Sequence, residues 1–200
     1  MTTDAELISW SLVGDGDAFV ELVRRHEGAV WSYLVRRAGR QAAEDLLGEV
    51  WVAAFGARAR YDRAFPSARP WLFGIAGNVL RRSWRDRPAA AFPIDAETDG
   101  EPPSEDPWPT QDERIHGAAL LRDALTRLSP EQREVLCLVV WEELRVAEAA
   151  RALEIPSGTA RRLLHEARLT LRDVPELRAL ATPSTAKAPA KTTASAKEHR

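Results

Sequence analysis

The chain has 200 residues, of which 44% are hydrophobic and 29% charged, with a formal net charge of −2 at pH 7. This balance is typical of a soluble protein with a packed core. No run approaches the ~18 consecutive apolar residues of a membrane span, and the acidic N-terminus lacks a signal-peptide pattern, so we expect a cytoplasmic protein. The single cysteine, Cys137, is interpreted as a small buried hydrophobe. With four scattered histidines beside it, we expect neither a metal nor a cofactor.

The first part of the chain, residues 1–88, is predicted to hold four helices. Capping-box spacing between Thr3 and Glu6 marks the start of the first helix. Apolar residues three and four apart mark a second helix over 19–34 and a third over 43–55. Without alternating apolar runs bounded by hairpin turns, a sheet is not expected.

The fourth helix is predicted to begin near Pro70, which suits a first helical turn, and to stop before Pro88. Asn78 and Trp84 lie in its second half. Cations interleaved with an aromatic suit single-stranded nucleic acid, whose bases stack. The helix dipole alone also favours cations at this end. The cations in question are Arg81, Arg82, Arg85 and Arg87.

Residues 89–110 are predicted to form a flexible acidic linker, because they are rich in proline and carry no basic residue. Residues 179–200 are low-complexity and predict a disordered tail. A second helical unit remains over residues 111–178. The fold class is therefore predicted to be all-α, with two small helical domains joined by the acidic linker.

The second unit is predicted to end in a helix-turn-helix. Ser129, Pro130 and Gln132 have the pattern of a helix start. A short helix over 146–153 follows, and Ser157 is predicted to cap a last helix that runs to about residue 172. Two short helices joined by a tight turn are typical of a helix-turn-helix.

The last helix carries donors that suit a DNA major groove. Ser157 and Thr159 supply hydroxyls near its start. A recognition helix needs such donors in its N-terminal half, although a solvated arginine face has the same residue pattern. The cationic positions are Arg161, Arg162, His165 and Arg168.

Four segments resemble, in order and spacing, blocks of the extracytoplasmic-function (ECF) group of bacterial RNA polymerase sigma factors. Residues 43–55 (AEDLLGEVWVAAF) resemble the region that grips the polymerase clamp helices. Residues 71–78 (WLFGIAGN), followed by arginines, resemble the segment that contacts and melts the minus-ten promoter element. Residues 128–136 (LSPEQREVL) and 155–160 (IPSGTA) resemble the domain that reads the minus-thirty-five element.

The resemblance implies a non-enzymatic protein that carries core RNA polymerase to promoters and helps to open the DNA. It implies that Asp45 and Glu49 face basic polymerase surface, with Leu46 and Trp51 helping to pack their helix. Core polymerase and promoter DNA are the implied partners, an anti-sigma factor is a candidate regulator, and no membrane is involved. The acidic linker would thread toward the RNA channel of polymerase.

The minus-ten contacts implied by the resemblance lie in two places. The loop 61–69 would hold a flipped base of the non-template strand, at a cost of a few kcal/mol that a shaped pocket offsets. Tyr61 and Phe65 would contribute to that pocket, although both could instead be core aromatics. The remaining implied contacts come from the fourth helix: Asn78, Arg81, Arg82, Trp84 and Arg85.

Some positions depart from the family pattern. Arg82 stands where relatives usually carry an acid, and Glu154 stands where glycine is usual. In the last helix, Leu163 and Glu166 occupy positions where arginine is frequent. The loss of two cations is expected to weaken phosphate contact, which Arg162 would partly restore.

A stand-alone helix-turn-helix regulator is the alternative interpretation. It would bind duplex DNA as a dimer without polymerase. It leaves the clamp-like block around Asp45 and the acidic linker unexplained. An enzyme is set aside, because the four histidines lie on separate segments without a nucleophile or metal pattern beside them.

Overall fold

A computed structural model describes residues 2–86 and 111–175, with side chains over 2–85 and 119–175. The predicted linker and tail lie outside these ranges. The described residues form α-helices and one 3-10 turn, with no strand among them, which confirms the all-α prediction. The elements are α1 (Asp4–Leu12), α2 (Gly16–Ala38), α3 (Arg40–Ala57), the 3-10 turn (Arg58–Arg60), α4 (Arg69–Asp86), α5 (Gln111–Thr126), α6 (Pro130–Val140), α7 (Val146–Ala152) and α8 (Ser157–Arg172).

Two of the predicted helix starts are confirmed and one is wrong. Thr3 and Glu6 form a reciprocal capping box at α1, and Ser129 forms one with Gln132 at α6. The prediction that Ser157 caps the last helix is wrong: α8 begins at Ser157 itself, and Pro156 is the N-cap with no side-chain bond. The extended backbone of Pro156 already ends the preceding turn, so the helix begins one residue earlier than a serine cap would place it.

Helices α1 to α4 pack around a continuous apolar core. Ile8, Leu22, Leu34 and Leu72 are fully buried in it. These side chains come from three different helices, α1, α2 and α4. None of the helices in the described ranges combines the length and apolarity that a membrane span requires.

The second unit has its own smaller core from α5, α6, α7 and α8, which includes Leu125, Val135, Ala150 and Leu164. Cys137 is buried, as predicted. Burial raises the pKa of its thiol to about 11, so the thiol stays protonated at neutral pH.

The two units pack against each other, which the sequence did not predict. Apolar side chains of α6 and α7 join the core of the first unit, among them Leu138, Ala149 and Ala152. The approach of α7 to α4 is close at Gly74: a Cβ placed there would lie 2.7 Å from the carbonyl oxygen of Ala152. Only glycine permits this contact without a backbone shift.

Two ion pairs cross the same interface. Arg36 Nη2 lies 2.6 Å from Glu142 Oε1, and the Glu142 side chain is 2% exposed. Arg37 pairs with Glu134 and is itself buried. Arg36 Nε, Arg37 Nη2 and Glu134 Oε2 have no hydrogen-bond partner in the described protein. Unpaired polar atoms at a buried ion pair offset part of the stability that the pair contributes.

Candidate nucleic-acid and partner interfaces

The first candidate surface is the acidic side of α3. Asp45 and Glu49 are both exposed, and their spacing of four residues places them on one face of the helix. Leu46 is buried, and Trp51 is half-buried with its ring edge-on to Phe19 at 6.4 Å between centroids. The structure therefore separates the four predicted residues into two that face outward and two that pack the helix.

A shallow groove of about 340 Å³ lies beside Glu49, between α3 and α4. The sequence interpretation missed Val52, which lines this groove and is 76% exposed. The available signal was that Val52 is apolar but lies outside the three- and four-residue spacing of the buried residues of α3, which are Ala43, Leu46, Val50 and Ala54. Arg82 also lines the groove, so this departure from the family pattern lies beside the acidic face.

The second candidate surface is the outer side of α4. Asn78, Arg81 and Arg85 are exposed and share one helix face. Arg81 donates a hydrogen bond to Asn78 Oδ1 at 2.5 Å, which holds the two side chains together. Trp84 is half-buried and packs against the core of the first unit, so it is not a free stacking platform. Arg87 lies outside the described residues.

The loop before α4 borders a cavity of about 190 Å³. Tyr61 is buried, and its hydroxyl donates to the carbonyl oxygen of Phe65 at 2.6 Å. The Tyr61 ring meets Trp71 edge-on, with 5.2 Å between centroids. Burial and the nearby Asp4 carboxylate raise the pKa of Tyr61 to about 12. Tyr61 is therefore a packed aromatic that also lines the cavity, and its role in holding a flipped base stays a prediction.

Phe65 and Arg151 form the outer side of this cavity. Phe65 is 36% exposed and is not a core residue. The Arg151 guanidinium, which comes from α7, lies 3.6 Å from the centroid of the Phe65 ring. A cation over an aromatic face is attracted to it. The packing of the second unit thus places a side chain at the cavity. Sequence reasoning missed Arg151, and it did not single out Trp71 within the segment 71–78.

The third candidate surface is the cationic side of α8. Arg161, His165 and Arg168 are exposed and recur at four- and three-residue spacing, so they share one face. Ser157 and Thr159 are half-buried at the start of the helix. The hydroxyl groups therefore lie at the N-terminal end of α8, and the cations lie along one side of it.

Arg162 and Glu166 form an ion pair on a neighbouring part of α8. Arg162 Nη1 donates to Glu166 Oε1 at 2.7 Å, and Gln132 Nε2 donates to the other carboxylate oxygen at 3.2 Å. These hydrogen bonds lower the pKa of Glu166, so the carboxylate is ionised at neutral pH. The exposed Arg162 guanidinium is partly neutralised by Glu166. We therefore expect Arg162 to restore less of the lost phosphate contact than its charge alone suggests.

Two other departures from the family pattern are resolved by the structure. Leu163 is buried in the core of the second unit, so in this chain the position packs α8 against that core. Glu154 has φ +56° in the turn before α8. That conformation favours glycine, and the Glu154 side chain occupies it at some strain.

Comparisons with known proteins agree on one family. A family model for Sigma-70 region 2 matches residues 22–89, and one for Sigma-70, region 4 matches residues 118–171. ECF RNA polymerase sigma factor SigM of Mycobacterium tuberculosis is 33% identical over 175 residues, which cover 84% of this chain and 83% of the relative. ECF RNA polymerase sigma factor BldN of Streptomyces coelicolor is 30% identical over 171 residues, covering 83% of this chain and 63% of BldN.

A solved structure has the same fold. The sigma factor RpoE in complex with the anti-sigma factor NepR, from Bartonella quintana, superposes with a TM-score of 0.57 at 20% sequence identity. The match covers 80% of this chain and 97% of that chain. At this identity the likeness establishes the fold alone.

Proposed function

The chain belongs to the ECF group of RNA polymerase sigma factors, and from this premise we propose that it binds core RNA polymerase, directs it to specific promoters and helps to open the DNA. One observation carries the proposal: a single chain holds an exposed acidic face on α3 and an exposed cationic face on a helix-turn-helix. A DNA-binding regulator needs only the second of these. The protein acts in the cytoplasm, where polymerase lies, and works by binding without enzymatic chemistry.

Core polymerase binds the acidic face of α3. Asp45 and Glu49 meet basic clamp surface, and the exposed Val52 contributes an apolar contact at the adjoining groove. Charged groups at such a surface steer association and select the partner. Leu46 and Trp51 hold the helix in place from the core side.

The minus-ten element is opened by α4 and the loop before it. Asn78, Arg81 and Arg85 contact the strand, and a flipped base enters the cavity beside Tyr61 and Trp71. Aromatic walls can stack on a base whatever its identity. We assign Trp84 to packing rather than to stacking, because it is half-buried.

The minus-thirty-five element is read by α8 in the major groove. The helix places its N-terminal half, with its hydroxyls and arginines, against base edges and phosphates. Glu166 reduces the positive charge of this surface. The promoter contacts of this chain therefore differ from the usual pattern at Arg162 and Glu166.

The two units separate when both promoter elements are bound. Ser157 follows Ala152 by five residues, so their Cα atoms lie at most roughly 18 Å apart. On α4, Gly74 lies about 17 Å from Arg85, at 1.5 Å per residue. The minus-ten and minus-thirty-five elements are about 25 base pairs apart, roughly 85 Å of B-form DNA. The packed arrangement is too short to reach both, so it represents the unbound state.

An anti-sigma factor is a proposed partner of this unbound state. The structural neighbour from Bartonella quintana was solved with such a partner. A partner that binds across both units would hold them together and keep α4 and α8 from reaching the promoter at once.

A binding experiment separates the proposal from the stand-alone regulator. Fragmented genomic DNA is incubated with the purified chain, with bacterial core polymerase, or with both, and the bound fragments are sequenced. We expect sequence-specific enrichment only when both proteins are present. Equal enrichment by the chain alone, with no association with core, would support the regulator instead.

Arg161→Ala is expected to weaken binding of the polymerase complex to the upstream promoter element. One lost phosphate or base contact should lower affinity by roughly tenfold, and a lost phosphate contact flattens the salt dependence by about one unit of slope. Affinity measured over a salt series checks this. Arg127→Ala, an exposed arginine in the same unit, is the matched control. If affinity and slope both stay unchanged in Arg161→Ala, this residue is not a DNA contact.

Glu166→Gln is expected to have the opposite effect. The substitution removes a negative charge from α8 and releases Arg162 from its 2.7 Å ion pair. Promoter affinity should rise several-fold, with a steeper salt dependence, because one more cation is free to neutralise phosphate. Asp173→Asn makes the same charge change just beyond α8 and serves as the control. Unchanged affinity in Glu166→Gln would show that this part of α8 lies away from the DNA.

A further inference from the structure

The loop that borders the cavity is held by a carboxylate from the other end of the first unit. Asp4, in the first turn of α1, is 6% exposed. Its backbone N–H donates to the carbonyl oxygen of Pro66 at 3.1 Å. In return, the backbone N–H of Ala68 donates to Asp4 Oδ2 at 2.8 Å. Asp4 therefore binds the loop at two points that are two residues apart.

These two bonds also set the start of α4. Ala68 is fully buried, and its carbonyl oxygen accepts the first hydrogen bond of α4, from Leu72 N–H at 2.9 Å. The cavity is lined by residues on both sides of this point, including Phe65, Pro70 and Trp71. A shift of Ala68 would therefore move the loop wall of the cavity relative to its helix wall.

Two side chains of α2 hold the Asp4 carboxylate in place. His26 Nε2 lies 2.7 Å from Asp4 Oδ2, and Arg25 Nη1 lies 3.4 Å from Asp4 Oδ1. Because a carboxylate only accepts, Nε2 of His26 carries the proton. Burial by itself would raise the pKa of Asp4, but the hydrogen bonds from His26 and Ala68 outweigh it and lower the pKa. Asp4 is therefore ionised at neutral pH and forms charge-assisted bonds, which are shorter and stronger than neutral ones.

We propose that Asp4 is a positioning residue for promoter opening, which holds the loop 61–68 in the shape that captures a flipped base. The carboxylate touches no DNA and acts through the backbone of Pro66 and Ala68. This inference rests on the proposed function, since it concerns the same cavity. Preorganisation of this kind lowers the cost of capture, because the loop is ordered before the base arrives.

The test compares two DNA probes bound by the complete complex of core polymerase and full-length chain. Both are fork DNAs carrying one promoter of this protein, with the downstream element single-stranded. One has the normal base at the flipped position, and the other has an abasic site there. The ratio of the two affinities reports base capture alone, because every other contact is shared.

We expect the unsubstituted chain to prefer the normal base and Asp4→Asn to reduce that preference about tenfold or more, as loss of hydrogen bonds to a charged group implies. Its affinities for core polymerase and for the abasic fork should stay unchanged. Asp17→Asn, an exposed acid of α2, is the control for charge. His26→Gln acts on the same carboxylate from α2 and should give a smaller loss, which keeps the test decisive if Asp4→Asn folds poorly.

The outcomes separate the inference from the function on which it rests. Equal loss on both forks, or equal loss of core binding, would make Asp4 an ordinary stabilising residue and overturn the inference. An unchanged ratio in both Asp4→Asn and His26→Gln would overturn it too. If the unsubstituted complex shows no preference for the base, the cavity does not capture one, and that part of the proposed function fails.

Discussion

Replacing Asp45 and Glu49 together by arginine is expected to abolish binding to core polymerase while leaving the chain folded. Both side chains are exposed on one face of α3, and substitutions at such positions usually change stability by no more than about 0.5 kcal/mol. Like charges brought together across an interface cost several kcal/mol. The expected loss of affinity is therefore at least about a thousandfold.

The measurement is fluorescence anisotropy of the labelled chain titrated with core polymerase, with circular dichroism to check the fold. Asp17→Arg with Glu27→Arg makes the same charge change at exposed positions of α2 and should retain affinity. A folded Asp45→Arg, Glu49→Arg chain that binds core as tightly as the unsubstituted chain would remove α3 from the interface.

Gly74→Ala is expected to shift the chain from the packed arrangement toward separated units. The new Cβ would meet the Ala152 carbonyl oxygen at 2.7 Å, and backbone on both sides leaves no flexible group to yield. Overpacking at such a contact costs about 1–3 kcal/mol, which corresponds to a 5- to 150-fold shift in the equilibrium at about 1.4 kcal/mol per factor of ten. Alanine also favours helix over glycine, so the first unit itself should not lose stability.

Two measurements detect the separation of the two helical units. The radius of gyration from small-angle X-ray scattering should rise, and apparent affinity of the polymerase complex for a promoter with both elements should rise with the fraction of open chain. Gly28→Ala makes the same change in α2, where a Cβ meets nothing within 4 Å, and should alter neither quantity. A larger radius without tighter promoter binding would mean that separation of the units does not limit contact with both promoter elements. An unchanged radius would mean that the interface absorbs the added methyl group.

The helices and most of their starts were predictable because the signals are local. The capping boxes at Thr3 and Ser129 each join residues three positions apart, and helix faces follow the repeat of buried residues. The burial of Leu163 was also encoded in this way, since Ala160, Leu164 and Ala167 complete an apolar face around it.

The contacts between distant parts of the chain could not be predicted. The pair Arg37 with Glu134 joins residues 97 apart, and Asp4 reaches a loop 64 residues further on. Each of these residues is charged and would be placed on the surface by its type alone. Their burial follows from three-dimensional packing between distant segments, which leaves no local signal in the sequence. The cavity wall contributed by Arg151 escaped prediction for the same reason.

The most direct test of the account is transcription from a pool of genomic fragments by purified bacterial core polymerase, with and without this chain, followed by mapping of RNA 5′ ends. The account predicts new, discrete start sites that share two spaced upstream elements and appear only when the chain is present. If the chain binds core polymerase and promoter DNA yet produces no new start sites, it does not work as an initiation factor, and the central claim is wrong.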